Sequence, residues 1–288
     1  SLRRNGFKTK TILTIFDAHR PDAFMQALDR ICYEAAYAVE HGVSCLVLSD
    51  RGVDADTASL PILLAASAVH QHLVTKTIRS QVSIIAESGE PREVHHMTLL
   101  FGYGVDCINP YLAYEALGAL VREGFLTVDH KTALAHYRKA LSKGILKILS
   151  KMGISTLQSY RGAQIFEAVG IHQDVINAYF AGTTSRVGGL TLHDIAEETL
   201  MRHREAFAPS CAAPTVLRTG GVYQWKRDGE FHLWNPDSIA ALQEAVRHER
   251  YDRYREFAQF INDQSRQPVT IRGLLAFRSA QAIPLDTV

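Results

Sequence analysis

The sequence predicts an α/β protein: parallel βα units forming an incomplete TIM-barrel-like core, with a C-terminal extension of helices and a hairpin. Three observations predict it. Short apolar runs alternate with longer stretches of helical periodicity over roughly the first 170 residues, as βαβ crossovers require. The runs are continuously apolar rather than alternating, as strands covered on both faces are. Three of them end in polar clusters: Ser49-Asp50-Arg51-Gly52, Glu87-Ser88-Gly89-Glu90 and Asn109-Pro110-Tyr111. In a parallel sheet such ends share the carboxyl edge, where folds of this class build their sites.

Lys10–Phe16 is β-branched and apolar, a first strand. Pro21 suits the first position of a helix that ends at Gly42. Val43–Leu48 reads as the second strand, a helix spans about Leu60 to Thr77, and Val82–Ala86 is the third strand. A helix from about Arg92 to Phe101, a short strand Val105–Ile108 and a helix Tyr111–Glu123 follow. Asp129–Ser142 is helical and feeds Lys143–Gly170, the stretch on which the arrangement centres. There Ile145–Leu149 reads as another strand, broken at Ser150-Lys151-Met152-Gly153, with a new helix behind Ser155 or Thr156 as N-cap.

Beyond Gly170 the pattern loosens, and the domain division is placed there: residues 1–170 as the βα core and 171–288 as the extension, unless the whole is one domain. Val175–Phe180 reads as a weak strand, 182–189 as a loop, and Leu192–Phe207 as a helix. Pro209–Thr219 is a loop, and Val222–Trp225 with Phe231–Trp234 a hairpin turned at Arg227-Asp228-Gly229. Helices at Pro236–Arg247, Tyr251–Asn262 and Ile271–Phe277 precede a tail without periodicity.

Composition narrows the function. With 31 basic and 30 acidic residues and no block of one sign, nothing electrostatic favours a nucleic acid or an anionic membrane as partner. The longest clean apolar run, Leu60–Val69, contains Pro61 and is too short for a bilayer span, which needs about 18 residues or more. The first residues lack a signal-peptide core. Four cysteines at 32, 45, 107 and 211 have no metal-ligand spacing and read as buried free thiols in a reducing compartment, the cytoplasm.

No nucleophile elbow, phosphate loop or dinucleotide fingerprint is present, and Gly102-Tyr103-Gly104 sits before a strand, where it turns the chain. His95 and His96 point about 100° apart on a helix, and His70 with His72 fare similarly, so neither pair suits one metal. Asp50-Arg51 either binds a polar ligand or forms a structural pair, and Lys147, Lys151 and Arg161 with the helix start behind Ser155 are a weak candidate anion site. No catalytic or metal-binding residue is assigned.

The phrases LVLSDRGVDADTASLPILLAASAVHQHL, ESGEPREVHHMTLLFGYGVDCINPYLAYEAL, KGILKILSKMGISTLQSYRGAQIFEAVGI, FAGTTSRVGGLTLHDIAEE and GEFHLWNPD, in this order, resemble the large chain of glutamate synthase. The resemblance covers nearly all of residues 7–275 and is similar to the later, larger part of that family's central domain. It implies a relay in which the glutamine amide is transferred reductively to 2-oxoglutarate, giving two glutamates, with NADPH, NADH or ferredoxin as donor. FMN and a 3Fe-4S cluster are implied for the full-length chain, and no cofactor for this segment. The amino-terminal catalytic cysteine has no counterpart before Cys32, and the cluster cysteines and the glycine-rich FMN region are also missing.

The resemblance therefore implies a domain that is inactive alone. It would join glutaminase and FMN-binding domains of the same chain, with a small reductase subunit as a further partner, and help wall the path of ammonia. Ser49, Asp50, Arg51, Gly52, Asn109, Ser150, Lys151, Met152 and Gly153 are the candidates for that wall or for interdomain contact, because each is read at the carboxyl end of a strand. The alternative is a self-sufficient barrel enzyme binding FMN or a phosphorylated substrate, which needs eight βα units where five or six are legible.

Overall fold

The continuous apolar runs fold as the sequence requires, into strands covered on both sides. The computed structural model describes residues 6–20, 22–208, 219–222, 224–264 and 268–275. In chain order come β1 (Thr9–Leu13), β2 (Ile15–Asp17), α1 (Ala23–Glu40), β3 (Cys45–Ser49), β4 (Thr57–Ser59), α2 (Ile62–Thr75) and β5 (Ser83–Glu87). Then follow α3 (Val94–Gly102), β6 (Cys107–Asn109), α4 (Tyr111–Arg122), α5 (His130–Met152), α6 (Leu157–Tyr160), β7 (Glu167–Ile171) and α7 (Gln173–Tyr179). Last are β8 (Thr184–Leu190), α8 (Leu192–Ala206), α9 (Pro236–Arg247) and α10 (Tyr251–Asn262).

Four strands form a parallel sheet in the order β1-β3-β5-β6, each added to the same side as the one before. This is the mixed α/β core of parallel βα units that the sequence predicts. Ile12, Leu46, Leu48, Ile84 and Ala86 are fully buried between helices, with Phe24, Leu28 and Ile31 of α1 in the same core. Each large side chain so buried contributes roughly 2 kcal/mol. The register sets Ser49 opposite Glu87 and Glu87 opposite Asn109, so three polar strand ends lie in one row.

The expected single strand Lys10–Phe16 is two. Thr14 interrupts it, its N–H donating to Ser49 O at 2.8 Å while its carbonyl accepts from Leu60 N at 2.7 Å. Beyond that point β2 leaves the parallel sheet and pairs antiparallel with β4, which the sequence hid in a polar loop.

The largest correction falls on Ile145–Leu149, which is not a strand but part of the 23-residue helix α5. Semi-buried and buried positions recur along it at Ala133/Leu134, Tyr137, Leu141, Gly144/Ile145 and Ile148/Leu149, the 3.6-residue period of a helix face. Gly144 is there for close packing: a Cβ would lie 2.4 Å from Val94 Cγ2 on α3. The helix ends where the strand was thought to end. Gly153 takes φ +70°, its N–H reaches Ser150 O at 3.2 Å, and Ile154 N reaches Leu149 O at 2.9 Å, a Schellman cap.

Val175–Phe180, read as a strand, belongs to α7 and its C-cap, with the His172 ring accepting from Asp174 N at the N-cap. Conversely β7 and β8 form a small parallel pair in segments too rich in glycine to read as strands. By contact density the chain divides into Ser1–Ala213 and Pro214–Val288, so α7, β8 and α8 fall with the βα core and not with the extension. Val175, Ile176, Phe180 and Ala196 are part of that core, and the Ser67 hydroxyl donates to Tyr179 O.

In the second unit the hairpin is corrected: residues 222 and 224–234 contain no strand, and Tyr223 lies outside the described residues. Glu230 N donates to Gly220 O at 2.7 Å, closing a loop in place of a ladder. Helix α9 starts as the sequence predicts, Pro236 at its first position and Asn235 accepting from Asp237 N and Ser238 N, each at 3.0 Å. Ile271–Leu274 is a single 3-10 turn. Pro21, Cys211, nearly all of the loop read at Pro209–Thr219, and the final tail lie outside the described residues. Among the described residues no helix is long and apolar enough to cross a membrane.

Candidate functional site

The parallel register gathers Ser49, Asp50, Arg51 and Asn109 around two carboxylates at the carboxyl edge. Glu87, the last residue of β5, is the hub. Its Oε2 accepts from Ser49 Oγ at 2.8 Å, and its Oε1 accepts from Asn109 Nδ2 at 3.1 Å and lies 3.2 Å from Arg51 Nε. Burial pushes the Glu87 carboxyl up, but the bonds from Ser49, Arg51 and Asn109 outweigh it and hold the group below its usual value. The Arg51 guanidinium also lies 4.0 Å over the Tyr111 ring, so three strand ends are tied together by one cation.

Asp50 forms the second node and is only 5% exposed. Its Oδ2 accepts from Ser88 Oγ at 2.6 Å and Gly89 N at 2.9 Å, while its enclosed Oδ1 takes no hydrogen bond from a described residue. Burial, and then the Asp50 carboxylate beside it, raise the Tyr111 hydroxyl well above its ordinary range. Glu90 closes the arrangement by accepting from Ile62 N at 3.0 Å, capping α2, whose own N-cap Pro61 provides no side-chain bond. Burial raises the Glu90 carboxyl, and Asp50 adds to that rise.

Gly52 supplies the turn, at φ +98°, and no polar group. Ser150, Lys151, Met152 and Gly153 are not brought into this cluster: they are the last turn and cap of α5, and none lies at a strand end. The candidate anion site on the same stretch fares likewise. Lys147 and Lys151 are exposed on α5, the helix behind Thr156 has four residues, and Arg161 turns to Asp106. Glu87 and Ser88 were missed as site residues, although they stand in one of the three polar strand ends. The signal was the register, which sequence alone does not fix.

Chemically the cluster is a lock. Ser49 and Asn109 are spent on Glu87, and Ser88 and Gly89 on Asp50, so few donors remain for a phosphate or a substrate carbonyl. No hydroxyl or thiol faces a histidine there. Cys32, Cys45 and Cys107 are free; Cys45 is buried as expected and Cys32 half-buried, but Cys107 is exposed. Burial, then Asp29, push the Cys32 thiol up to about 12, far from a reactive thiolate. Among the described residues no three His, Cys, Asp or Glu side chains gather as metal ligands, so nothing here fits an iron–sulfur cluster.

Residues 1–172 match the family model described as the glutamate synthase central domain. The chain is 47% identical over 244 residues to "Glutamate synthase [NADPH] large chain" of Bacillus subtilis, covering 85% of this chain and 16% of that one. It is 42% identical over 281 residues to "Glutamate synthase [NADH]" of Schizosaccharomyces pombe, covering 96% and 13%. It is 39% identical over 297 residues to "Ferredoxin-dependent glutamate synthase 1, chloroplastic/mitochondrial" of Arabidopsis thaliana, covering 98% and 18%. The chain thus spans less than a fifth of the length of each of these relatives. Among solved structures, that of DHODH from Eimeria tenella in complex with ferulenol aligns over 55% of this chain and 38% of its own at 16% identity, with a TM-score of 0.35, too slight a likeness to bear on the fold. On the family match, this chain belongs to the glutamate synthase central domain family.

Proposed function

We propose that this chain is the connecting part of a glutamate synthase large chain, joining a glutaminase domain to an FMN-binding synthase domain. The parent reaction is transfer of the glutamine amide to 2-oxoglutarate, with a reduced pyridine nucleotide or ferredoxin as donor. FMN and the 3Fe-4S cluster belong to other parts of that protein, and a reductase subunit is a partner where the donor is a pyridine nucleotide. The free thiols agree with a reducing compartment such as the cytoplasm.

The observation that carries this reading, beside the family match, is that the carboxyl-edge groups, Asp50 Oδ1 excepted, satisfy one another around Glu87 and Asp50. A wall guiding neutral ammonia needs a rigid polar rim, largely satisfied within itself, and no reactive dyad. Ser49, Asp50, Arg51, Gly52 and Asn109 form that rim on our reading. Ser150 to Gly153 remain candidates for interdomain contact, as an exposed helix end. The self-sufficient barrel is disfavoured by a parallel sheet of four strands among the described residues.

The test is stoichiometry in the full-length large chain carrying Glu87→Gln. The expected result is unchanged glutamine hydrolysis with ammonia leaking to solvent and less glutamate formed per glutamine. Tight coupling of the two activities in the variant would overturn the wall. Saturable quenching of flavin fluorescence by this chain alone would overturn the claim that it carries no cofactor site.

A further inference from the structure

At the opposite, amino edge of the same sheet lies a second polar constellation that the wall does not use. Asp106, just before β6, accepts from Ile84 N at 2.8 Å and from Arg79 Nη2 at 3.1 Å through Oδ2, and pairs with Arg161 through Oδ1. Two guanidiniums thus share one carboxylate, and their side chains are only 12% and 21% exposed. The nearby His70 brings no compensating charge. Its Nδ1 accepts from Arg79 Nε at 2.9 Å, and burial, then Arg79 and Arg161, push its pKa down to about 4. The place carries an excess of one positive charge.

The two arginines differ in what remains free. Arg79 is spent on His70, Val82 O, Gly104 O and Asp106, and burial lowers its pKa despite Asp106. Arg161, placed by the buried Tyr160 before it, has Asp106 Oδ1 as its sole side-chain acceptor among the described residues. It borders an open recess of about 590 Å³ that Ser80, Ser83 and Gln158 also line. Those two hydroxyls and that amide make no side-chain hydrogen bond to a described residue.

We propose that this recess binds a small oxyanion, phosphate or carboxylate, with the Arg161 guanidinium as its main ligand and Ser80, Ser83 and Gln158 as neutral donors. A guanidinium presents a planar fork that matches two oxygens of such an anion, and it stays charged where an ammonium would lose its proton. Burial of the paired half of the cluster makes the uncompensated charge expensive without an anion, and partial exposure of Arg161 leaves the free half reachable. The site is independent of the wall reading, since its residues lie at the other edge of the sheet.

The experiment is calorimetric titration of the full chain with sodium phosphate, with sodium glutarate and with sodium chloride at one ionic strength. Saturable heat with phosphate or glutarate and none with chloride is expected, and the stronger of the two identifies the oxyanion carried by the ligand. Arg161→Gln should weaken binding about tenfold or more, and Ser83→Ala about three- to tenfold, as loss of a charged and a neutral hydrogen bond would. Circular dichroism checks the fold of each variant, and Ser83→Ala decides if Arg161→Gln fails to fold. Heats for both oxyanions no larger than for chloride, or undiminished binding in a folded variant, would overturn the site.

Discussion

Arg51 Nε lies 3.2 Å from Glu87 Oε1, at the point where neighbouring parallel strands run out. The contact joins the ends of β3 and β5, and Glu87 adds the end of β6, because it also holds Asn109. A carboxyl held below its usual value of 4.5 contributes stability that is complete above that value and is lost as pH falls through the folded one. Glu87→Gln should therefore cost about 1–2 kcal/mol at pH 7 by urea unfolding. The gap between wild type and variant should close in acid. A gap that persists undiminished in acid would refute the ionised hub.

His70 gives the opposite edge its own pH signature. Its pKa falls from 6.5 to about 4 in the folded chain, so between those values the unfolded chain binds more protons and folding weakens as pH falls. The loss should be on the order of 3 kcal/mol across the window, and His70→Gln should remove most of that slope. The imidazole carbon resonances should still report the neutral ring at pH 6. A titration midpoint near 6.5 would contradict the burial described.

Gly104 is required twice over. Its φ is +104°, and a Cβ there would stand 2.1 Å from His70 Nδ1. Gly104→Ala should cost about 2–4 kcal/mol and disturb the His70 resonances together with stability. A near-neutral midpoint in denaturant would show that the turn between α3 and β6 tolerates a side chain.

The packing of α5 on α3 can be read from a sign. In an exposed helix interior, glycine to alanine gains about 1 kcal/mol. At Gly144 the added methyl would meet Val94 at 2.4 Å, so Gly144→Ala should destabilise. In a Val94→Ala background, which removes both methyls but leaves a Cβ at 3.2 Å, the same change should destabilise less. Identical effects in both backgrounds would mean that the two helices do not touch there.

Where long-range packing and local pattern agreed, the sequence was readable. Strands β3 and β5 are apolar on both faces, and α9 and α10 carry their own caps or a clear 3.6-residue period. The reading failed where a residue's meaning lay in a distant neighbour. Gly144 serves Val94, fifty positions earlier, and Glu90 caps a helix it does not belong to. Strand β8 carries Gly188 and Gly189, the latter so close to Gly170 that a Cβ would lie 2.5 Å from its carbonyl oxygen, which explains both the glycine and its disguise. At the site, the polar residues were visible as strand ends, but only the register of Ser49, Glu87 and Asn109 makes Glu87 their centre.

The strand order β1-β3-β5-β6 also bears on how such a sheet can be made on a ribosome. Each parallel strand needs as partner one that was synthesised before it, and none must wait for a segment from the far end of the chain. A nascent chain can dock its strands in the order in which they emerge, each closing one crossover, so unpaired edges are short-lived during synthesis. On the proposed reading of the chain as one domain among several, that order of assembly limits the time available for misassembly with neighbouring domains.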